Sequence, residues 1–200
     1  MKRRRLALLL PLVLAACGYN TIQSYDEQAS AAQGQIEVQL QRRADLVPSL
    51  VATVKGLANQ ELAVFGEVAR ARGGLLNAVQ SKDPEQMANA NQQMTGALGR
   101  LLAVSEAYPQ LKSDQAFLKL QDELAGTENR VAVSRTDYNG AVQQYNAYIR
   151  RFPAVLTAKM TGARERKYFT ATSPESREAP KIDFGTPGAA AAPTPAPAKP

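Results

Sequence analysis

Five acidic residues, Glu61, Glu67, Asp122, Glu123 and Glu128, are the groups in this sequence that could break a covalent bond. Two carboxylates facing each other can cleave a glycosidic bond, one as acid and the other as nucleophile or base. Helix spacing already accounts for some of them without catalysis, since Glu67 stands three residues before Arg70 on one helix face. Composition closes other routes. With no histidine and one cysteine, neither the usual zinc sites nor a Ser-His or Cys-His nucleophile pair can be assembled. There is no nucleophile elbow, SxxK pair, HExxH or phosphate loop. The expectation is a protein with no catalysis, no metal and no cofactor.

The single thiol suggests different chemistry. Met1-Lys2-Arg3-Arg4-Arg5 precedes an apolar run from Leu6 to Leu14, then Ala15-Ala16-Cys17-Gly18. A charged start, a short apolar stretch and small residues before a cleavage point form an export signal. Leu6 to Ala16 would reach only about 16 Å as a helix, too short for a bilayer core of about 30 Å. Leu14-Ala15-Ala16-Cys17 resembles the bacterial lipobox, in which the cysteine takes a diacylglyceryl group. Residues 1–16 are thus expected to be removed, and Cys17 to carry a covalent lipid with two or three acyl chains, each buried methylene contributing about 0.8 kcal/mol. Of the 24 Lys and Arg, four leave with the leader, so the mature chain sets 20 against 18 acidic residues. A near-neutral surface argues against nucleic acid as a partner. With no disulfide possible, packing alone must hold the fold.

The elements that must position these groups are helical. Apolar residues recur at three and four through Ile22, Tyr25, Ala29, Ala32, Ile36 and Leu40, and again through Leu50, Val54, Leu57, Leu62, Phe65, Val68 and Leu75. Asp83-Pro84-Glu85 announces a third helix by its cap, its first-turn proline and its acidic start. Ser113 or Asp114 starts a fourth, whose seam runs Leu124, Glu128, Val131, Arg135, Tyr138, Val142, Tyr145, Ile149 and Phe152 in heptad rhythm. Tyr168-Phe169 is expected to fold back as a closing contact. Pro48 either kinks one long helix or separates two. Splitting at Asp45, as an N-cap, gives four elements of comparable length. The expected fold is all-α: an antiparallel up-and-down four-helix bundle over residues 17–171. From residue 172 to 200 the Ala/Pro-rich composition cannot make a core and is expected to be disordered.

Polar residues on or beside the seam form the second set of candidates. Glu128 and Arg135 lie on it, with Asn129, Asn139 and Asn146 one position beside it. They either form a hydrogen-bonded layer that fixes helix register or make a site for a ligand or partner. Arg42, Arg43 and Asp45 pose the same choice between clamping a turn and offering guanidinium groups to phosphate or carboxylate. Arg164-Glu165-Arg166-Lys167 reads as a solvated basic loop, with anionic headgroups as the alternative.

At Arg42-Arg43-Ala44-Asp45-Leu46-Val47-Pro48, and on through Leu50 to Gly56, the sequence resembles the LemA family. Further matches follow at Ala69-Arg70-Ala71-Arg72, Glu128-Asn129-Arg130, Arg135-Thr136-Asp137-Tyr138-Asn139, Tyr145-Asn146 and Phe152-Pro153. The resemblance spans about Tyr19 to Phe169. It implies a helical bundle held at a membrane outside the cytoplasm, with no established catalysis. Many members use a transmembrane helix where this chain offers Cys17. Gly18 stands where an aspartate would retain a lipoprotein in the inner membrane, so the outer membrane is expected where a cell has both. Function is expected to be that of a scaffold or interaction module for membrane and envelope proteins. The alternatives are a glycan hydrolase and a structural spacer.

Overall fold

A computed structural model describes residues 2–57 and 61–171, and the side chains of 18–56 and 61–171 within them. The expected tail from residue 172 and the side chain of Cys17 lie outside this description. The elements are α1 (Lys2–Leu57), α2 (Leu62–Ser81), α3 (Pro84–Ser105), α4 (Pro109–Lys112), α5 (Gln115–Ile149) and α6 (Ala154–Thr161). The described residues contain no strand, and the fold is all-α. Among them, no helix is long and apolar enough to cross a membrane.

The expected division at Asp45 is wrong. α1 runs unbroken through Pro48 and ends at Leu57, one residue after Gly56. Pro48 has no N–H to give to the carbonyl four residues earlier, a defect worth about 3 kcal/mol in a helix interior. That carbonyl belongs to Ala44, and Arg72 on α2 donates its Nε to it at 2.8 Å. A neighbouring helix thus supplies the donor that proline lacks. Asp45 caps nothing; it lies mid-helix and accepts from Gln41 Nε2 at 3.0 Å. Leu50 and Val54, read as the start of a second helix, are buried residues of α1.

The four long helices are therefore unequal. α2 and α3 are about 30 and 33 Å long, α5 about 52 Å, and the part of α1 after Gly18 about 59 Å. α1 and α5 run antiparallel along each other, and the α2–α3 hairpin covers one half of that pair. The turn of the hairpin is compact. Lys82 adopts the left-handed conformation (φ 54°), and Asp83 accepts the amides of Glu85 and Gln86 at 2.9 and 3.2 Å. Pro84 takes the first helical position, where a missing N–H costs nothing. Asp114 caps α5 in the same way, accepting from Phe117 N at 2.9 Å.

Two cores result. The larger lies in the four-helix half and includes Ile36, Leu40, Leu50, Val68, Leu75, Met87, Met94, Leu101 and Val142. The smaller, at the end near Gly18, consists of Ile22, Tyr145, Ile149 and Ala158, flanked by Tyr25 and Tyr148 in an edge-on pair 5.3 Å apart. Here the α2–α3 hairpin is absent, and α6 with Ala163 completes the wall.

Candidate functional site: a polar cleft and the strap beside it

After α6 the chain turns back and lies along α5 as a non-helical strap. Two asparagines hold it. Asn146 Nδ2 donates to Arg166 O and its Oδ1 accepts from Arg166 N, both at 2.9 Å. Asn139 repeats the arrangement with Phe169, at 3.3 Å to the carbonyl and 2.8 Å from the amide. The spacing explains the match: seven helical residues rise about 10.5 Å, and three extended residues cover about 10 Å. Each amide thus pairs with the strap as a neighbouring strand would, once per heptad. Between them Tyr138 donates its hydroxyl to Lys167 O at 2.8 Å, and burial pushes that hydroxyl's pKa up to about 12.

The strap then ties the other elements together. Arg166, read from sequence as part of a solvated loop, instead donates to Asp26 at 2.8 Å and to Ser30 at 2.7 Å, with its guanidinium 5.9 Å from the Tyr145 ring. The bond to Asp26 raises its pKa. Lys167 reaches Asp83 at the hairpin turn at 2.7 Å, which holds the Asp83 carboxyl below its usual range. Phe169 closes over the main core, 3% exposed. Tyr168, expected to join it, remains 40% exposed.

Where the strap ends, a cleft of about 960 Å³ opens between the hairpin and α5, bordered by Phe169 and Ala171. Its foundation is Arg43, 4% exposed on α1. Its guanidinium donates to Asn91 Oδ1 at 2.6 Å and Thr95 Oγ1 at 3.1 Å on α3, and forms an ion pair with Glu128 on α5. Burial lowers the Arg43 pKa, and the charge of Glu128 opposes that shift. One cation therefore joins three helices, and its Nε has no acceptor among the described residues. Asn91, Thr95 and Glu128 show their remaining surface in the cleft.

The cleft wall carries more charge. Arg100 forks onto Glu67, with Nε 2.7 Å from Oε2. Arg70 and Arg135 also line the cleft, both exposed, and neither has an ion-pair partner among the described residues. Counting Arg43 beneath, four guanidinium groups meet two carboxylates.

The residues singled out from sequence separate here. Arg43, Glu128 and Arg135 meet at the cleft, whereas Asn139 and Asn146 hold the strap. Arg42 is exposed on a different face with Asp45, Val38 and Leu46, around a shallow surface hollow. Consecutive helix residues point about 100° apart, so Arg42 and Arg43 cannot present a guanidinium pair. Asn129 is exposed, with no hydrogen bond to the strap among the described residues. Arg72, Arg100 and Arg166 were missed as structural groups. The signal for Arg72 was present, since a mid-helix proline requires a donor for the carbonyl four residues back.

Comparison with known proteins identifies relatives of this chain. The LemA family matches residues 32–184. Magnetosome protein MamQ 2 of Paramagnetospirillum magneticum is 29% identical, over 76% of this chain and 64% of the relative. Magnetosome protein MamQ of Magnetospirillum gryphiswaldense is 26% identical over the same shares. The chain thus spans less than two thirds of the length of these relatives. With the family pattern matched across most of its sequence, the chain belongs to the LemA family.

Proposed function

We propose that this protein is a membrane-held, non-catalytic interaction module whose polar cleft seats a segment of another envelope protein. The observation that carries this is the cleft itself: Arg70 and Arg135 have no ion-pair partner among the described residues and stand on a wall fixed by the buried Arg43 cluster. Guanidinium groups favour bidentate contact with carboxylates, and the flanking amides suit a peptide backbone. Attachment is by acylation of Cys17 after removal of residues 1–16, in the outer membrane where there are two. Intact-mass spectrometry of the membrane fraction tests that attachment directly.

The hydrolase alternative finds less support. Glu67 and Glu128 do share the cleft, but each has an arginine on it, so neither is left as the proton donor that glycoside cleavage requires. Asp122 and Glu123 lie outside the cleft lining. Cross-linking in intact cells is expected to recover a defined partner with the wild-type chain and to lose it in an Arg70→Gln/Arg135→Gln variant. Undiminished recovery contradicts the cleft as the docking site. Removal of Thr186 to Pro200 is expected to leave recovery intact, whereas a spacer would fail without its tail.

A further inference from the structure

Phe152, Leu156 and Met160 are 82, 55 and 82% exposed. Leu156 and Met160, one turn apart, share the outer face of α6, and Phe152 stands exposed in the turn that leads into it, so the segment carries an apolar stripe. The opposite side of that short helix, Ala154, Thr157 and Ala158, is buried. Single exposed apolar residues are ordinary, but three large ones, two on one face of so small an element and one in the turn before it, form a patch that calls for a covering.

Their position indicates the covering. A Cβ built on Gly18 would stand 3.3 Å from Thr157 Oγ1 and 4.0 Å from Ala154 Cα. α6 therefore sits against α1 at the residue next to Cys17. With the chain held by lipid on that cysteine, the bilayer surface lies at this end of the bundle. Arg151 and Lys159 adjoin Phe152 and Met160 in sequence and Arg164 follows α6, all three exposed and without ion-pair partners among the described residues. Large apolar side chains bordered by cations suit the boundary between anionic headgroups and acyl chains.

We propose that the Phe152–Leu156–Met160 stripe is a second membrane contact, inserting into the lipid interface beside the attachment point. This rests on the membrane location argued above. A single flexible tether leaves a bundle free to swivel, and two contacts at one end fix its orientation. Arg43 lies 26 residues beyond Cys17 on α1, so an upright bundle holds its cleft about 39 Å from that end. That height favours a partner protein's segment over a headgroup as the cleft's occupant.

The test uses the full chain, purified with its native attachment and reconstituted into vesicles of phosphatidylethanolamine and phosphatidylglycerol. An environment-sensitive dye is placed through Leu156→Cys, Met160→Cys or, for reference, Lys119→Cys. Lys119 lies about 45 Å along α5 from Ile149. Failure of the wild-type chain to take the dye shows that Cys17 is blocked, and vesicle flotation reports the attachment separately. Nitroxide groups on the acyl chains are expected to quench the dye at 156 and 160 severalfold more than at 119. Equal quenching at all three sites in protein that still floats overturns the proposal without touching the anchor. Quenching that requires a second membrane protein also overturns it, because the stripe is then a protein interface. Replacing phosphatidylglycerol by phosphatidylcholine is expected to weaken the quenching, and undiminished quenching contradicts the role given to Arg151, Lys159 and Arg164.

Discussion

The two ends of the bundle solve the same problem by different means. In the four-helix half, α1 and α5 are covered by the hairpin, and large aliphatic side chains fill the space between them. At the Gly18 end no hairpin is present and the apolar cluster is small. From there to the hairpin turn, asparagine ladders, the Arg166 clasp and a buried tyrosine hydroxyl hold a single strap in place, until Phe169 joins the main core. Apolar packing is indifferent to exact pairing, but a donor and acceptor on one amide accept only one register of the strap. The strap ends at the cleft, so its register also sets where Phe169 and Ala171 border it.

This contrast can be broken most strongly in the aliphatic half. Leu101→Ala removes a fully buried side chain and is expected to cost about 3 kcal/mol of global stability in urea unfolding. At the other end, Asn146→Ala removes two hydrogen bonds, a loss of about 2 kcal/mol. Its signature should differ, however: hydrogen exchange at Arg166 and nearby strap amides should quicken while the core helices stay protected. If exchange rises uniformly, the strap and the core form one cooperative unit and the contrast fails.

The arginine that replaces the proline's missing donor allows a sharper test. Arg72→Ala leaves the Ala44 carbonyl without its partner and is expected to cost about 1–2 kcal/mol. Pro48→Ala supplies the missing N–H, and in that background the same arginine change should cost little. Additive effects of the two substitutions would show that Arg72 acts elsewhere.

The smallest effects are in pH dependence. Tyr138 in the folded state holds its proton to about pH 12, whereas the unfolded chain releases it near the ordinary value of 10. Below 10 the contribution is fully present and independent of pH; between the two values the folded state holds the extra proton, so stability is lost as pH rises towards 12. Tyr138→Phe should flatten that fall, at a cost of about 1 kcal/mol for the lost bond to Lys167 O. Asp83 has the opposite sign: its lowered pKa gives stability that is present above about 3.8 and lost as pH falls through the folded value. Asp83→Asn should remove that acid limb in thermal melts.

Much of the fold was legible because periodicity reports burial directly. The seam from Leu124 to Ile149 placed Val131, Tyr138, Val142 and Tyr145 inside. The caps at Asp83 and Asp114 fixed two helix starts. What misled was Pro48, where a local rule implied a break and a side chain on another helix removed the reason for one. The heptad misled at two positions: Arg135 keeps the spacing but opens onto the cleft, and Phe152 keeps it but lies beyond the end of α5, and both are exposed. Asn139 and Asn146 carried a readable signal, since two amides a heptad apart can grip an extended chain, although only the fold shows that residues 166 and 169 are what they grip. The pairing of Arg43 with Glu128 spans residues far apart in sequence, beyond the reach of any local pattern.

The central claim, docking in the cleft, is tested most directly by placing a photo-crosslinking residue at Arg135 or at Lys119 and irradiating intact cells. Position 135 is expected to give a discrete adduct with an envelope protein, weakened by Arg70→Gln, while position 119 gives none. No adduct at 135, or the same adduct at both positions, contradicts it.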